Sequence, residues 1–251
     1  MIDTFEVTLP ELSGDTPRRA YVYLPTHYDP QGARRYPVLY MFDGHNVFFD
    51  EDATYGKSWG LGEYLDYMDS NLIVAAVECN HEGNRRLNEY TPVPFSFRDT
   101  GEIEPQGDLT MQWIIESFKP FIDTHYRTLP DRQHTAIAGS SMGGLMALYA
   151  VTAYNDVFSM AAALSPSLWL GGEAMLSLMR DAPIAHGTRI YMDYGSEELG
   201  GRRGATDAFR AATDLLLEKG AYLTARIVPG GTHSEESWQK QIPVWMMCLQ
   251  L

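Results

Sequence analysis

A serine stands in the segment Gly139-Ser140-Ser141-Met142-Gly143, where a short apolar run gives way to a helix-like pattern. The spacing G-x-S-x-G in this setting is typical of a nucleophilic serine on a sharp turn from a strand into a helix. Small glycines are needed on both sides because a side chain there would collide with neighbouring backbone. The turn exposes the hydroxyl of Ser141, so the segment predicts nucleophilic attack by this oxygen on a carbonyl carbon.

The same turn predicts a site that stabilises negative charge. The first N–H groups of a helix lack a partner within the helix, so the amide of Met142 can hold a developing oxyanion. A second amide is expected from the loop after the third predicted strand, which reads Asp43-Gly44-His45-Asn46. Either Gly44 or His45 could supply it, and the sequence does not separate the two.

A nucleophilic serine needs a general base. In α/β-hydrolases the order along the chain is serine, then Asp or Glu, then histidine, each in a loop after a strand. His233 follows the last predicted strand and precedes the last predicted helix, so it is the predicted base. Three carboxylates are candidates for the acid that orients it. We favour Glu198 over Glu197, with Asp193 third because it falls within a strand pattern.

Apolar stretches rich in β-branched and aromatic residues predict eight strands, and apolar residues spaced three and four apart predict five helices. The strands are 5–9, 20–24, 38–42, 72–77, 135–138, 160–164, 189–194 and 222–228, and the helices are 109–124, 142–153, 174–179, 206–219 and 235–250. From the third strand onward, strands alternate with helices. This predicts an α/β-hydrolase fold, a mostly parallel central sheet of about eight strands with helices on both faces. The first two strands, joined by a turn at 13–17, are predicted to form an antiparallel hairpin.

The chain is predicted to form one domain, 1–251, since it shows no internal repeat, low-complexity segment or linker-like change of composition. Two stretches, 43–60 and 80–107, have little periodicity and many Gly, Pro, Asn and aromatic residues. Loops of that length are often functional, so both are predicted to be ordered loops with a role in function.

The composition limits the partners. A formal net charge of −14 repels DNA, RNA and anionic lipid surfaces, and it disfavours strongly anionic substrates. We therefore expect a small neutral or cationic substrate, with no nucleic acid and no membrane as partner. The N-terminal residues lack the pattern of a signal peptide and no run approaches the roughly 18 apolar residues of a membrane span, so a cytoplasmic location is expected. A homo-oligomer is compatible with the sequence.

The two cysteines, Cys79 and Cys248, lie in apolar runs and outside Cys-x-x-Cys or Cys/His spacing. This argues against a disulfide framework or a zinc site, and both residues are predicted to be buried thiols. The predicted chemistry needs no metal ion and no organic cofactor.

Six segments of the chain resemble the esterase family that includes esterase D, feruloyl esterase and enterochelin esterase-like enzymes. They are YPVLYMFDGHNVFFD, NRRLNEYTP, AGSSMGG, LSPSLW, MDYGSEE and PGGTHSEESW. The resemblance spans nearly the whole chain and implies Ser141, Glu198 and His233 as the catalytic triad. One loop departs from the family, which often has His-Asp-Gly-Gln-Asn where this chain has Phe42-Asp43-Gly44-His45-Asn46. The change keeps the backbone amides and alters the side chains.

By analogy with the family's Arg-x-x-Glu-Tyr-x-Pro loop, Arg86 and Glu89 are expected to form an internal ion pair that braces the site. The resemblance also implies a substrate pocket bordered by Arg86, with Trp59 and Trp169 lining the part that holds the acyl group. Aromatic side chains suit that role because they present large apolar surfaces.

The residues and the resemblance together predict a serine carboxylesterase that hydrolyses small neutral acyl or aryl esters, of acetyl, butyryl or feruloyl type, through an acyl-enzyme intermediate. One alternative is an acyltransferase, which uses the same triad with another acceptor in place of water. A siderophore esterase of the enterochelin type would need a basic pocket, for which Arg85-Arg86 and Arg202-Arg203 are the available clusters. A non-catalytic binding module is disfavoured because it would not need all three loops.

Overall fold

The computed structural model describes residues 1–96, 101–199 and 204–251, so Arg202 and Arg203 lie outside the described residues. The strands are β1 (Ile2–Leu9), β2 (Gly14–Tyr23), β3 (Val38–Met41), β4 (Ile73–Val77), β5 (Phe95–Ser96), β6 (Glu102–Ile103), β7 (Thr135–Ser140), β8 (Met160–Leu164), β9 (Arg189–Gly195) and β10 (Tyr222–Val228). The helices are α1 (Pro10–Ser13), α2 (Leu61–Tyr67), α3 (Arg85–Glu89), α4 (Gly107–Trp113), α5 (Lys119–His125), α6 (Met142–Ala153), α7 (Leu168–Asp181), α8 (Ser196–Leu199), α9 (Ala205–Glu218), α10 (Glu235–Gln239) and α11 (Ile242–Leu249). Short 3-10 helices lie at Gly44–Asn46 and Arg132–His134, and a π-helical segment, Ile114–Phe118, joins α4 to α5.

Eight of these strands form one sheet, in the order β1-β2-β4-β3-β7-β8-β9-β10. β1 pairs antiparallel with β2, and β2 pairs antiparallel with β4. The remaining neighbours are parallel to one another. The eight strands correspond to the eight predicted ones, so the mostly parallel sheet with an N-terminal hairpin is confirmed. β5 and β6 form a separate antiparallel pair.

The sheet separates two hydrophobic cores because successive strand residues point to opposite faces. Ala20 and Val22 of β2 pack in one core, with residues of α4, α6, α7 and α9. Tyr21 and Tyr23 of the same strand pack in the other core, with residues of α2, α10 and α11. Helices therefore cover both faces, as predicted. Among the described residues, no helix combines the length and the apolar composition that crossing a membrane requires.

The connection within the N-terminal hairpin differs from the predicted turn at 13–17. The chain turns earlier, in α1. Pro10 lies in the first turn of this helix, where a backbone N–H would have no partner within the helix, so the lack of an N–H in proline is harmless there. Gly14 ends this helix with φ +57°, a conformation that glycine adopts without steric cost. Residues 14–17 already belong to β2.

Two predicted helices depart from regular α-helix next to prolines. The predicted helix 235–250 is divided into α10 and α11, and Pro243 lies in the first turn of α11, where its lack of an N–H is harmless. The predicted helix 109–124 widens into the π-helical segment just before Pro120. Such a widened turn accommodates a proline, which cannot donate to the preceding turn.

Candidate active site

Ser141 lies at the sharp turn between β7 and α6. Its backbone has φ +58° and ψ −119°, a conformation that residues with a side chain seldom adopt, and its N–H donates to the carbonyl oxygen of Leu164 at 2.9 Å. A Cβ atom on Gly139 would lie 2.6 Å from the backbone of Gly143, and one on Gly143 would lie 3.0 Å from Cβ of Phe42. Space therefore requires glycine on both sides of the serine.

A chain of hydrogen bonds joins Ser141, His233 and Glu198. Nε2 of His233 lies 2.9 Å from Oγ of Ser141, and Nδ1 of His233 lies 2.6 Å from Oε2 of Glu198. The three residues follow β7, β10 and β9, which run parallel in one sheet. Loops that follow parallel strands meet at one edge of the sheet, and this brings the three side chains together.

Among the three candidate carboxylates, Glu198 is the one in contact with His233. Glu197 is exposed. Asp193 is buried inside the sheet and accepts a hydrogen bond from the hydroxyl of Tyr191 at 2.6 Å. Burial raises the pKa of the Asp193 carboxyl to about 6. The residue that contacts the histidine is therefore Glu198, which the sequence ranked ahead of Glu197 and Asp193.

Glu198 is held by polar contacts on its second carboxylate oxygen. Oε1 accepts hydrogen bonds from the backbone N–H of Gly195 at 2.9 Å and from the hydroxyl of Ser165 at 2.7 Å. The Ser165 hydroxyl in turn accepts a hydrogen bond from the indole N–H of Trp238 at 2.9 Å. Burial alone would raise the pKa of Glu198, but the hydrogen bonds to His233 and Ser165 outweigh it and hold that pKa below its usual value. The carboxylate is therefore ionised at neutral pH.

The loop after β3 is fixed by an ion pair between the buried Asp43 and the half-buried Arg86. Asp43 has φ +56°, and Arg86 donates to both of its carboxylate oxygens, from Nε at 2.7 Å and from Nη2 at 2.6 Å. Burial would raise the pKa of Asp43, but the Arg86 guanidinium more than offsets this and lowers it. Asp43 N–H donates to the hydroxyl of Tyr90 at 3.1 Å. A Cβ atom on Gly44 would lie 2.9 Å from the backbone of Val77 in β4.

The prediction of an ion pair between Arg86 and Glu89 is wrong, because each of these residues binds another partner. Arg86 binds Asp43, and Glu89 accepts two hydrogen bonds from Arg18, at 2.7 Å from Nη1 and 2.5 Å from Nη2. Both partners are distant in sequence, one on β2 and one after β3. The local spacing of three residues on α3 could not reveal them.

Ser141 and His233 border a cavity of about 360 Å³. Its lining also includes the charged or titratable side chains of Asp43, His45, His81, Arg86 and Glu235. Arg86 is neutralised by Asp43. Burial raises the pKa of Glu235. The cavity therefore carries no excess of positive charge from the described residues.

The structure does not bring together the three residues predicted to form the substrate pocket, which are Arg86, Trp59 and Trp169. Arg86 lines the cavity. Trp59 is 2% exposed and packs in one of the two cores, with its ring centroid 6.2 Å from that of Trp238. Trp169 is half-buried near the start of α7. Among the described residues, the tryptophan that borders this cavity is Trp238. Neither Trp59 nor Trp169 borders it.

A second cluster of polar side chains also borders the cavity. His45, Cys79 and His81 each offer one nitrogen or sulfur atom, and these atoms lie within 4.8 Å of one another. Burial raises the pKa of the Cys79 thiol and lowers the pKa of His45, so both side chains are neutral at pH 7. Cys79 is buried as predicted, whereas Cys248 is half-buried.

Sequence reasoning did not single out Ser165, Glu235 or Trp238. Signals were available, since Ser165 lies in LSPSLW and the other two in PGGTHSEESW, both segments that carry the family resemblance. It also missed the cluster of His45 with Cys79 and His81, because the first lies after β3 and the others after β4. Those two strands are adjacent and parallel, which is the signal that places their following loops together.

Comparisons with known proteins agree with this architecture. The sequence model of a protein family described as "Putative esterase" matches residues 13–247. The uncharacterized protein YbbA of Bacillus subtilis (strain 168) is 26% identical over 187 residues, which cover 72% of this chain and 69% of that protein. A ferulic acid esterase structure is 17% identical with a TM-score of 0.69, covering 100% of this chain and 97% of that one. The siderophore hydrolase EstA from Aspergillus nidulans is 18% identical with a TM-score of 0.73, covering 97% and 93%.

Proposed function

We propose that this chain, which belongs to the putative esterase family, is a serine hydrolase that cleaves small neutral acyl or aryl esters through an acyl-enzyme intermediate on Ser141. The observation that carries this proposal is the line of hydrogen bonds from Ser141 through His233 to Glu198, on the wall of a cavity. A hydroxyl becomes a competent nucleophile when an oriented base accepts its proton, and this line provides both base and orienting acid.

The reaction proceeds in two steps. Ser141 Oγ attacks the carbonyl carbon of the ester while Nε2 of His233 takes the hydroxyl proton, and the alcohol then leaves with that proton. A water molecule next attacks the acyl-enzyme, giving a proton to His233 and its oxygen to the acyl group. The carboxylic acid leaves, and His233 returns the proton to Ser141. No oxidant or reductant is consumed.

Glu198 and two amides stabilise the charges that form. The Glu198 carboxylate accepts a hydrogen bond from Nδ1–H of His233, so Nε2 faces the serine and the imidazolium is stabilised. We assign the oxyanion donors to the amides of Met142, the first residue of α6, and His45. His45 rather than Gly44 is assigned because His45 borders the cavity, whereas Gly44 packs against the backbone of β4.

The size and charge of the cavity support a small neutral substrate. A volume of about 360 Å³ lies at the small end of the range for ligand pockets, which is roughly 300 to 1,000 Å³. Among the described residues, the arginine that borders the cavity is Arg86, and it is already bound to Asp43. An anionic catecholate would therefore find little basic surface here. This favours an acyl or aryl ester, such as an ester of ferulic acid, over a substrate like that of the siderophore hydrolase.

The proposal is tested by measuring release of p-nitrophenol from acetate, butyrate and longer acyl esters, and release of ferulate from methyl ferulate. Ser141→Ala is expected to reduce hydrolysis at least about a thousandfold, because the nucleophile is removed. Ser140→Ala is the matched control for loss of a neighbouring serine hydroxyl. An unchanged rate in Ser141→Ala, or no turnover of any ester by the wild type, would contradict the proposal.

An acyltransferase reaction shares the acyl-enzyme and differs in its second step. Adding methanol or a small diol to the assay distinguishes the two, because a transferase would convert most of the acyl group into a new ester. We expect the free acid to remain the main product. A dominant transfer product at low alcohol concentration would overturn hydrolysis as the main reaction.

A further inference from the structure

His45, Cys79 and His81 form a group of three metal-type donors outside the Ser141–His233–Glu198 line. Their candidate ligand atoms lie within 4.8 Å of one another. In a tetrahedral zinc site, nitrogen and sulfur ligands lie about 3.3 to 3.8 Å apart, as follows from metal–ligand distances of about 2.0 to 2.3 Å. Only a small side-chain adjustment is needed. His81 is exposed and can rotate toward the two buried residues.

The environment of His45 provides a second and independent observation. The side chain is 4% exposed, and its Nε2 lies 3.0 Å from the hydroxyl oxygen of Thr54. Its Nδ1 is buried without a hydrogen-bond partner among the described residues. A buried polar nitrogen without a partner is costly, unless a ligand satisfies it. Metal-bound histidines commonly donate their other ring N–H to a neighbouring oxygen, and Thr54 is positioned for that contact.

The chemistry of the three donors selects the ion. One sulfur and two imidazole nitrogens suit zinc, whereas magnesium and calcium prefer oxygen ligands. Three protein ligands also leave a fourth coordination position. Because all three residues border the cavity that contains Ser141, that position is open to a water molecule or a ligand in the cavity.

We propose that His45, Cys79 and His81 bind a zinc ion at the wall of this cavity, and that the bound ion inhibits hydrolysis. Zinc binds the Cys79 thiolate, so binding releases the thiol proton to the buffer. The ion and its water occupy part of a cavity of about 360 Å³. They also hold the side chain of His45, whose amide is assigned above to the oxyanion. Zinc binding itself does not depend on the esterase proposal, whereas the inhibitory effect rests on it.

The binding part is tested on the purified full chain with zinc sulfate, by titration calorimetry and by competition with a chromogenic chelator. We expect one zinc ion per chain, with affinity reduced at least about tenfold in Cys79→Ser and in His81→Ala. The matched controls are Cys248→Ser and His186→Ala, a half-buried thiol and an exposed histidine elsewhere. His233→Ala tests whether zinc binds the catalytic histidine instead. Wild-type affinity in both ligand variants, or no stoichiometric binding, would overturn the site.

Cobalt gives a readout of the thiolate ligand itself. Co²⁺ bound to a cysteine thiolate absorbs in the near ultraviolet through sulfur-to-metal charge transfer, and this band should appear in the wild type and in Cys248→Ser. It should be lost in Cys79→Ser. Since Cys79 is buried, circular dichroism must show that this variant is folded; His81→Ala changes an exposed side chain and keeps the test decisive if Cys79→Ser does not fold.

The inhibitory part is tested by following ester hydrolysis against zinc concentration and then adding EDTA. We expect the rate to fall with a midpoint near the measured Kd, to recover with EDTA, and to need at least about tenfold more zinc in His81→Ala. Stoichiometric binding without inhibition would overturn the inhibitory role alone. If the metal-free chain hydrolyses no ester, the esterase proposal fails, and the calorimetric and cobalt measurements still decide the metal site.

Discussion

The hydroxyl of Ser165 donates a hydrogen bond of 2.7 Å to Oε1 of Glu198, the carboxylate oxygen that does not contact His233. Ser165 has φ +45°, which is unusual for a residue with a side chain. The same hydroxyl accepts the indole N–H of Trp238. A strained backbone and two hydrogen bonds thus position the proposed catalytic acid.

Ser165→Ala should lower kcat with little change in KM. The variant removes a hydrogen bond to a charged group, which contributes about 1.5 to 3 kcal/mol, so a decrease of roughly ten- to a hundredfold in kcat is expected. The free energy of unfolding should also fall by about 1 to 3 kcal/mol, because Trp238 N–H loses its acceptor. Steady-state kinetics and urea denaturation measure the two effects. An unaltered kcat would show that Ser165 does not position Glu198.

Glu198→Gln should reduce kcat about a hundredfold or more, because an amide cannot favour the imidazolium that forms on His233. Glu197→Gln is the matched control, since its side chain is exposed and adjacent in sequence. Its kcat should stay within about twofold of the wild type. Comparable losses in the two variants would argue that neither acts through the histidine.

Arg86→Gln should reduce the free energy of unfolding by about 3 kcal/mol or more, because it leaves the buried Asp43 carboxylate without its counter-ion. Arg85→Gln changes the neighbouring arginine, whose ion pair with Glu82 is exposed, and should cost at most about 1 kcal/mol. Urea denaturation of both variants at neutral pH provides the comparison. Equal stabilities would contradict a structural role for the Arg86–Asp43 pair.

Asp193→Asn should make stability less dependent on pH. In the folded chain the pKa of Asp193 is raised from 3.8 to about 6, so its contribution to stability is fully present below the unfolded value and is lost as pH rises through about 6. Between about pH 4.5 and 7.5, the wild type should therefore lose about 2 kcal/mol relative to the variant. The asparagine oxygen can accept from Ser165 N–H, and its NH2 group can donate to the Tyr191 oxygen, which reverses that hydrogen bond. This change adds an offset to stability that does not depend on pH, so the comparison of slopes stands. Parallel pH profiles would contradict the raised pKa.

Much of this protein follows from patterns that are local in sequence. Apolar periodicity identified the eight strands of the sheet, and the spacing of Gly139, Ser141 and Gly143 identified the sharp turn. These predictions succeed because strand and helix periods, and the steric demands of a tight turn, act over a few residues. The order of serine, acid and histidine along the chain also limited the candidates for the acid. They were Glu197 and Glu198 in one short stretch, and Asp193 near the end of a strand.

The fold, the turn at Ser141 and the loop that carries His233 could all be predicted from residue patterns. The sequence favoured Glu198 but left Glu197 and Asp193 open, and the folded chain shows that Glu198 is the carboxylate that reaches His233. The folded chain also shows that Arg86 binds Asp43 rather than Glu89, and that His45 meets Cys79 and His81. Each of these contacts joins side chains from different loops at one edge of the sheet. Such contacts depend on how adjacent strands are ordered and on where each side chain points, and neither is written in the spacing of residues along the chain.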